Sequence, residues 1–257
     1  MADRLMWRDK VVLVTGASQG IGASLARLLA AEGAKLSLTA LASTEFCDRE
    51  SPSTLVTAGD ITSDETRRRV VERTLGKFGR IDVLINNAGV GQYGYPSEAD
   101  SEVSKRLFDV NVFSVLALTQ LVIPGMRARK SGVIVNIGSV GGEVSLPWAV
   151  MYCASKWALH CLDDSFRREL AGSGIRVVKV CPGIVDTEFR SHVLAGKAPQ
   201  NVENIRRMVS PDRVAATIIS GVKRNKKRLY VPAIGRVFTS LEFFAPWLMD
   251  WYVRRKF

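Results

Sequence analysis

Tyr152 and Lys156 stand four residues apart, and on a helix that spacing puts a phenol and an ammonium on one face. A phenol, with its ordinary pKa near ~10, is a poor base at neutral pH unless a nearby cation favours the phenolate. Lys156 can supply that charge. Ser139, thirteen residues before the tyrosine, falls at the end of an apolar run read as a strand, and strand ends are the edge of an α/β sheet where ligands bind. Its hydroxyl can hydrogen-bond an oxygen on which charge develops. The three together suit proton transfer to or from a carbonyl or alcohol oxygen.

A second chemical feature lies near the start, in Thr15-Gly16-Ala17-Ser18-Gln19-Gly20-Ile21-Gly22. It follows a β-branched run and opens a helical pattern. In that setting Gly16 can take the tight turn, Gly20 lets backbone approach a pyrophosphate, and Gly22 permits close helix packing. The helix N-terminus then offers free N–H groups to the phosphates.

These residues need a frame, and the hydrophobic pattern predicts one. Apolar runs at 11–14, 36–39, 55–57, 81–85, 133–137, 175–180 and 229–231 read as seven strands. Between them, 21–31, 64–78, 105–129, 152–171 and 211–223 read as amphipathic helices. Alternation of this kind predicts an α/β fold, a doubly wound parallel sheet with helices on both faces. No linker or repeat divides the chain, so residues 1–257 are expected to form one domain, with an aromatic and basic extension over 236–257. The polar, Pro-interrupted stretch 43–53 predicts a short or frayed crossover helix.

The TGxxxGxG spacing of the glycine turn resembles that of the short-chain dehydrogenase/reductase family. The family's other signatures follow in order: Asn86-Asn87-Ala88-Gly89, Asn111, Ser139, Tyr152, Lys156, Pro182-Gly183 and Thr187. The resemblance spans about residues 8–232 and implies a Rossmann-like oxidoreductase that moves a hydride to or from a nicotinamide while Tyr152 moves the proton. It further implies that Lys156 holds the nicotinamide ribose and that Asn111 holds a water linking Lys156 to solvent. Gly138 departs from the family, which frequently has a second serine there. Glu143 is read either as solvent-facing or as a polar selector at the pocket mouth.

The resemblance also implies the cofactor contacts. Asp60 and Ile61 match the residues at the adenine, with capping of the next helix as Asp60's other reading. Asn86, Asn87, Ala88 and Gly89 match those beside adenosine and ribose, and Pro182, Gly183, Ile184 and Thr187 those lining the carboxamide. Members that prefer NAD carry an acid at the end of the second strand; Ala40 stands there, so NADP(H) is expected over NAD(H). The usual NADP arginine is missing too, since Gln19 and Leu41 stand at its positions. Ser18, Ser43 and Thr44, with Arg49, are expected to meet the 2′-phosphate instead.

Loops at 90–96, 141–148 and 188–208 carry Gln92, Tyr93, Tyr95, Trp148, Phe189 and Met208, which suggest a largely apolar pocket for a lipophilic ketone or its alcohol. The chain carries 36 Lys and Arg against 25 Asp and Glu, a net charge of +11. That basic balance attracts anionic partners but selects none, and no nucleic-acid-reading module accompanies it. The four cysteines, Cys47, Cys153, Cys161 and Cys181, form no CxxC pair and no metal grouping with His160 and His192. Reduced thiols and the charged opening segment lead to a cytoplasmic expectation. In the extension, Phe238, Phe243, Phe244, Trp247, Trp251, Tyr252 and Phe257 are flanked by basic residues, and Pro246 can open a last helix. Lid, dimer contact and core packing stand against peripheral membrane contact as its role. Homodimers or homotetramers through the helices at 105–129 and 152–171 are implied by the resemblance. A non-catalytic NAD(P)-sensing or interaction protein is the competing functional class.

Overall fold

The computed structural model describes residues 6–41, 50–95, 97, 99–190, 193–197 and 208–256. Its centre is a seven-stranded, all-parallel sheet in the order β3-β2-β1-β4-β5-β6-β7. The strands are β1 (Val11–Thr15), β2 (Lys35–Ala40), β3 (Thr54–Ala58), β4 (Val83–Asn86), β5 (Gly132–Ile137), β6 (Ile175–Pro182) and β7 (Arg228–Val231). Each lies within about two residues of an expected run. The central strands are buried on both faces, which is why they read as continuous apolar runs.

Alternate residues feed two cores. Val12, Val14, Val83, Ile85, Val133 and Val135 face α1 (Gly20–Ala31) and α6 (Pro211–Lys223), meeting Leu25, Leu29, Val214 and Ile218. Leu13, Leu84, Ile134 and Val177 face the opposite layer of α2 (Asp64–Phe78), α4 (Ser114–Ala128) and α5 (Val150–Glu169), meeting Val70, Leu118, Met126 and Phe166. Full burial of one such side chain contributes about 1.5–3 kcal/mol. The chain order reverses between β1 and β4, so the crevice for a ligand opens at their carboxyl ends.

The long helix expected at 105–129 begins earlier and is not uniform. It consists of α3 (Ser101–Phe108), a π-helical turn (Asp109–Phe113) and α4. This stretch is long and apolar enough to cross a membrane by composition, yet it supplies Leu107, Leu118 and Met126 to the core. Most of the crossover at 43–53, including Ser43, Thr44, Cys47 and Arg49, lies outside the described residues; Ser51 bridges to Thr54 rather than entering a helix. His192 also lies outside them.

After β7 come α7 (Gly235–Phe244), which the sequence pattern did not single out, and α8 (Pro246–Lys256). Helix α8 packs against α7, and α7 against β7. Met249 is buried, but Phe243, Phe244, Trp247, Leu248 and Trp251 are exposed. Core packing as the role of these aromatics is therefore excluded. Cys153, Cys161 and Cys181 are free thiols.

Candidate active site

The glycine turn joins β1 to α1. Gly16 has φ +62°, a left-handed conformation, and a Cβ there would stand 2.8 Å from Ala88 Cα. At Gly22 an added Cβ would lie 2.1 Å from the Gly16 carbonyl oxygen, so the helix sits as close to the turn as a missing side chain allows. Thr15 and Asn87 tie this turn to the loop after β4. Thr15 Oγ1 accepts from the Asn87 and Ala88 N–H groups at 3.0 and 2.9 Å, and Asn87 Nδ2 donates to the Thr15 and Gly16 carbonyls at 2.9 Å each. Asn87 Nδ2 is thus engaged in holding the turn.

Ser63, Asp100 and Ser210 cap the N-termini of α2, α3 and α6 with their side chains, whereas α1 begins at Gln19 with no side-chain cap and no acid in its first turn. Its N–H groups and positive dipole end face the crevice with Ser18 half-buried and Gln19 exposed. Thr187 closes the other side, its methyl 3.0 Å from where a Gly20 Cβ would be. A dinucleotide pyrophosphate fits this cradle. Ser18, Gln19, Gly20 and Ile21 would hold it, with Ala88, Gly89, Pro182, Gly183, Ile184 and Thr187 along the rest of the cleft.

The candidate proton-transfer residues gather at the carboxyl edge of β4 and β5. Ser139 follows β5, caps the short turn Val140–Gly142 by accepting from Gly141 N–H at 3.0 Å, and brings its hydroxyl near enough to the Tyr152 phenol to favour the ionised form. Burial pushes the Tyr152 phenol well above the ordinary tyrosine range, and the nearby Ser139 hydroxyl pulls the other way. Lys156, 4% exposed, donates from Nζ to the Ile137 carbonyl at 3.0 Å and lies 5.8 Å from the Tyr152 ring centre. Burial lowers its ammonium to about 8, against the opposing charge of Asp163.

Asn111 occupies the π-helical turn. Its amide donates to the Val90 carbonyl and to Ser155 Oγ, each at 3.0 Å, while its oxygen accepts from Val90 N–H at 2.9 Å. Gly89 brings Asn111 and Lys156 together, since a Cβ there would meet Asn111 Oδ1 at 3.3 Å and Lys156 Nζ at 3.4 Å. The widened turn aims the asparagine inward from a helix that otherwise packs on the sheet.

Several expected contacts differ. Asp60 does not cap α2, which Ser63 does; its carboxylate accepts from Thr62 N–H at 2.9 Å and pairs with Arg106. Burial would raise that carboxyl, but the Thr62 and Arg106 hydrogen bonds outweigh it and hold it low. Ile61 turns into the core with Val70 and Val71. Asn86 points inward too, donating to Asn136 Oδ1 at 2.7 Å, so it is a core residue and not an adenosine contact. Gln92 is buried and accepts from Ser104 Oγ at 3.2 Å, beside a small cavity that it lines with Tyr93, Tyr95 and Met151. Glu143 is neither solvent-facing nor at the pocket mouth. Its Oε2 accepts from Tyr230 at 2.6 Å, and Oε1 lies 3.4 Å from Arg228 and 3.5 Å from His160. Burial alone would raise its carboxyl, but the facing His160 imidazole and the Tyr230 hydrogen bond bring it down to about 2.

Two arginines stand at the crevice that motif reading missed. Arg106 holds Asp60, and Arg69 Nη2 donates to the Ala58 carbonyl at 3.1 Å, at the carboxyl ends of β2 and β3 beside Ala40. Arg69 belongs to a run of three arginines on α2, and only the fold tells which of them turns toward the crevice. Around Tyr152 the lining is apolar: Tyr93, Leu146, Trp148, Cys153 and Ile184 pack together, and Phe189 meets the Tyr152 ring at 5.8 Å. An open cleft of about 600 Å³ lies elsewhere, lined by Ala99, Ser104, Phe108, Phe113 and Met151 and by none of Asn111, Ser139, Tyr152 and Lys156.

A doubly wound sheet whose first helix lacks a side-chain cap, with a buried lysine beside a half-buried tyrosine at its carboxyl edge, defines a nicotinamide-dependent oxidoreductase. More narrowly, the chain belongs to the short chain dehydrogenase family, whose model matches residues 10–198. It is 35% identical over 218 residues to an uncharacterized oxidoreductase of Staphylococcus saprophyticus, a match covering 82% of this chain and 89% of that protein. A short chain dehydrogenase from Burkholderia cenocepacia, solved in complex with NADP, superposes with TM-score 0.83 at 25% identity, covering 97% of this chain and 99% of that one. A Burkholderia phymatum family member in complex with NAD shares the fold, with TM-score 0.86 at 23% identity over 95% of this chain and 96% of that one. The protein is therefore an NAD(P)-dependent dehydrogenase/reductase.

Proposed function

We propose that this enzyme reduces the carbonyl of a lipophilic ketone with NADP(H), Tyr152 giving the proton. The observation that carries the reading is the convergence of the Ser139 hydroxyl, a Tyr152 phenol that burial keeps protonated, and Lys156, whose Nζ lies 5.8 Å from the Tyr152 ring centre. When bound, the dinucleotide supplies the hydride, which adds to the carbonyl carbon. Ser139 holds the carbonyl oxygen as negative charge develops on it. The Tyr152 phenol donates its proton to that oxygen, and the Lys156 ammonium favours the phenolate left behind. Asn111 holds the Val90 loop and Ser155 beside this group, which keeps Lys156 at the Gly89 edge. Alcohol oxidation is the same sequence reversed.

The preference for NADP(H) is supported by Ala40, which offers no carboxylate to a ribose 2′-hydroxyl, and by the Arg69 guanidinium at the ends of β2 and β3. Ser18 completes the proposed 2′-phosphate contacts. The lipophilic substrate is supported by Tyr93, Leu146, Trp148, Ile184 and Phe189 around Tyr152. Self-association through α4 and α5 is supported by Phe113, at the end of the π-helical turn that leads into α4, and Trp157 on α5, both about half exposed. The free thiols suit a cytoplasmic enzyme. Peripheral contact of α7 and α8 with anionic membranes is supported by exposed Phe243, Phe244, Trp247 and Trp251, with Arg255 stacked on Trp251 at 4.5 Å.

The test is NADPH oxidation against ketones, quinones, ketosteroids and 3-oxoacyl thioesters, with NADH in parallel. Turnover of apolar ketones with tighter binding of NADPH supports the proposal. Equal or tighter binding of NADH overturns the cofactor preference, and cofactor binding without turnover across the panel moves the weight to a nucleotide-sensing protein.

A further inference from the structure

The Ser139 turn is flanked by Gly138 and Gly142, and both exist in the shadow of one side chain. A Cβ at Gly138 would lie 2.1 Å from His160 Nε2, and a Cβ at Gly142 would lie 2.7 Å from His160 Cε1. His160, 4% exposed, therefore fills the space under the turn that side chains at 138 and 142 would need. It is one helical turn beyond Lys156 and two beyond Tyr152 on α5, so the helix bearing the tyrosine reaches the loop bearing the serine through this imidazole.

Glu143 fixes the imidazole from the loop side. Its Oε1 faces His160 Nδ1 at 3.5 Å, while Tyr230 at 2.6 Å and Arg228 at 3.4 Å fix the carboxylate itself. With Glu143 ionised, Nδ1 carries the ring proton and Nε2 turns to Cys181 Sγ, 3.9 Å away. Glu143, His160 and Cys181 lie close enough to suggest a metal site. However, the carboxylate and the thiol address different ring nitrogens, and Lys179 lies 4.0 Å from the same carboxylate oxygen. One ion cannot take all three ligands through one imidazole nitrogen, and the surrounding cations oppose it. The cluster is a packed post behind the turn, with the carboxylate facing the imidazole as a charge contact and not as a hydrogen bond.

We infer that Glu143 and His160 are a positioning pair for Ser139: the imidazole, held by the carboxylate, sets the height of the 138–142 turn and so the placement of the Ser139 hydroxyl against Tyr152. The inference rests on the proposed roles of Ser139 and Tyr152. It also gives Gly138, where the resemblance leads one to expect a serine, a physical reason: His160 fills the space from below that a side chain there would need.

The test is a kinetic cycle on the full chain with a ketone that it reduces, following kcat, KM, NADPH affinity and thermal stability for Gly138→Ala, His160→Ala and the double variant. A displacement near 1 Å at a reacting group costs about 10²-fold. Gly138→Ala is therefore expected to lower kcat by about 10²-fold, and His160→Ala by about tenfold, with NADPH affinity within about threefold of wild type. The double variant should recover to within about tenfold of wild type, because removing the imidazole makes room for the new methyl. Glu143→Gln should lower kcat in the wild type and have no further effect on His160→Ala. If Gly138→Ala does not fold, this second cycle decides alone. Additive losses in both cycles, or wild-type kcat in His160→Ala, overturn the inference. Ser139→Ala and Tyr152→Phe run alongside separate the two failures: if they retain activity the site reading fails, and if they lose it while the cycles are additive only the positioning pair fails.

Discussion

Replacing Gly22 by alanine tests whether the β1–α1 turn is the pyrophosphate site. Position 22 is helical and buried, so backbone conformation does not oppose the change. Space does. The new Cβ would stand 2.1 Å from the Gly16 carbonyl oxygen, 2.6 Å from Asn87 Nδ2 and 2.8 Å from the Gly16 carbonyl carbon, where ordinary contact begins at 3.4 Å. A shortfall of more than an ångström against backbone moves either α1 or the turn, at a cost of about 1–3 kcal/mol for overpacking. In a chain of this size that lowers Tm by roughly 2–4 °C per kcal/mol. The same shift breaks the register between the helix N–H groups and the phosphates, so the Kd for NADPH should rise by about 30- to 100-fold, or about 2–2.7 kcal/mol. Gly76→Ala is the control, because its Cβ meets nothing within 4 Å on α2; it should stabilise by about 0.5–1 kcal/mol and leave binding alone. Titration of tryptophan fluorescence with NADPH, beside thermal melts, reads both quantities. A Gly22→Ala protein with lowered Tm but wild-type Kd would refute the cradle.

Lys156 gives a pH signature. Its folded ammonium titrates near about 8 against an ordinary 10.5, so between those values the unfolded chain binds more protons. Stability of the cofactor-free protein should therefore rise with pH through that window, and Lys156→Met should flatten the rise in denaturant melts. For the terminal helices, full-length protein should float with anionic liposomes while Phe243→Ser/Trp247→Ser/Trp251→Ser should not; absence of flotation by the full chain removes the membrane contact.

Much of this architecture was legible because parallel strands buried on both faces write themselves as short apolar runs, and because Gly16, Gly20 and Gly22 follow one of them directly. Tyr152 and Lys156 needed only helical spacing. What escaped was set by partners distant in sequence. Glu143 reads as a surface acid until Tyr230 and Arg228 arrive from the far end of the sheet. Asn86 looks like a cofactor contact until Asn136 on the neighbouring strand takes its amide. The π-helical turn at Asn111 leaves no periodic trace, since one widened turn barely disturbs a hydrophobic stripe. Arg69 was hidden among Arg67 and Arg68, which a linear reading cannot distinguish.

The central claim is that Tyr152 passes the proton while the cleft holds the cofactor independently of it. Ketone reduction by Tyr152→Phe, measured with NADPH affinity on the same preparation, tests this most directly. The structure predicts a kcat lower by about 10²- to 10⁴-fold, with NADPH bound as tightly as by wild type. A variant that turns over at the wild-type rate would contradict it.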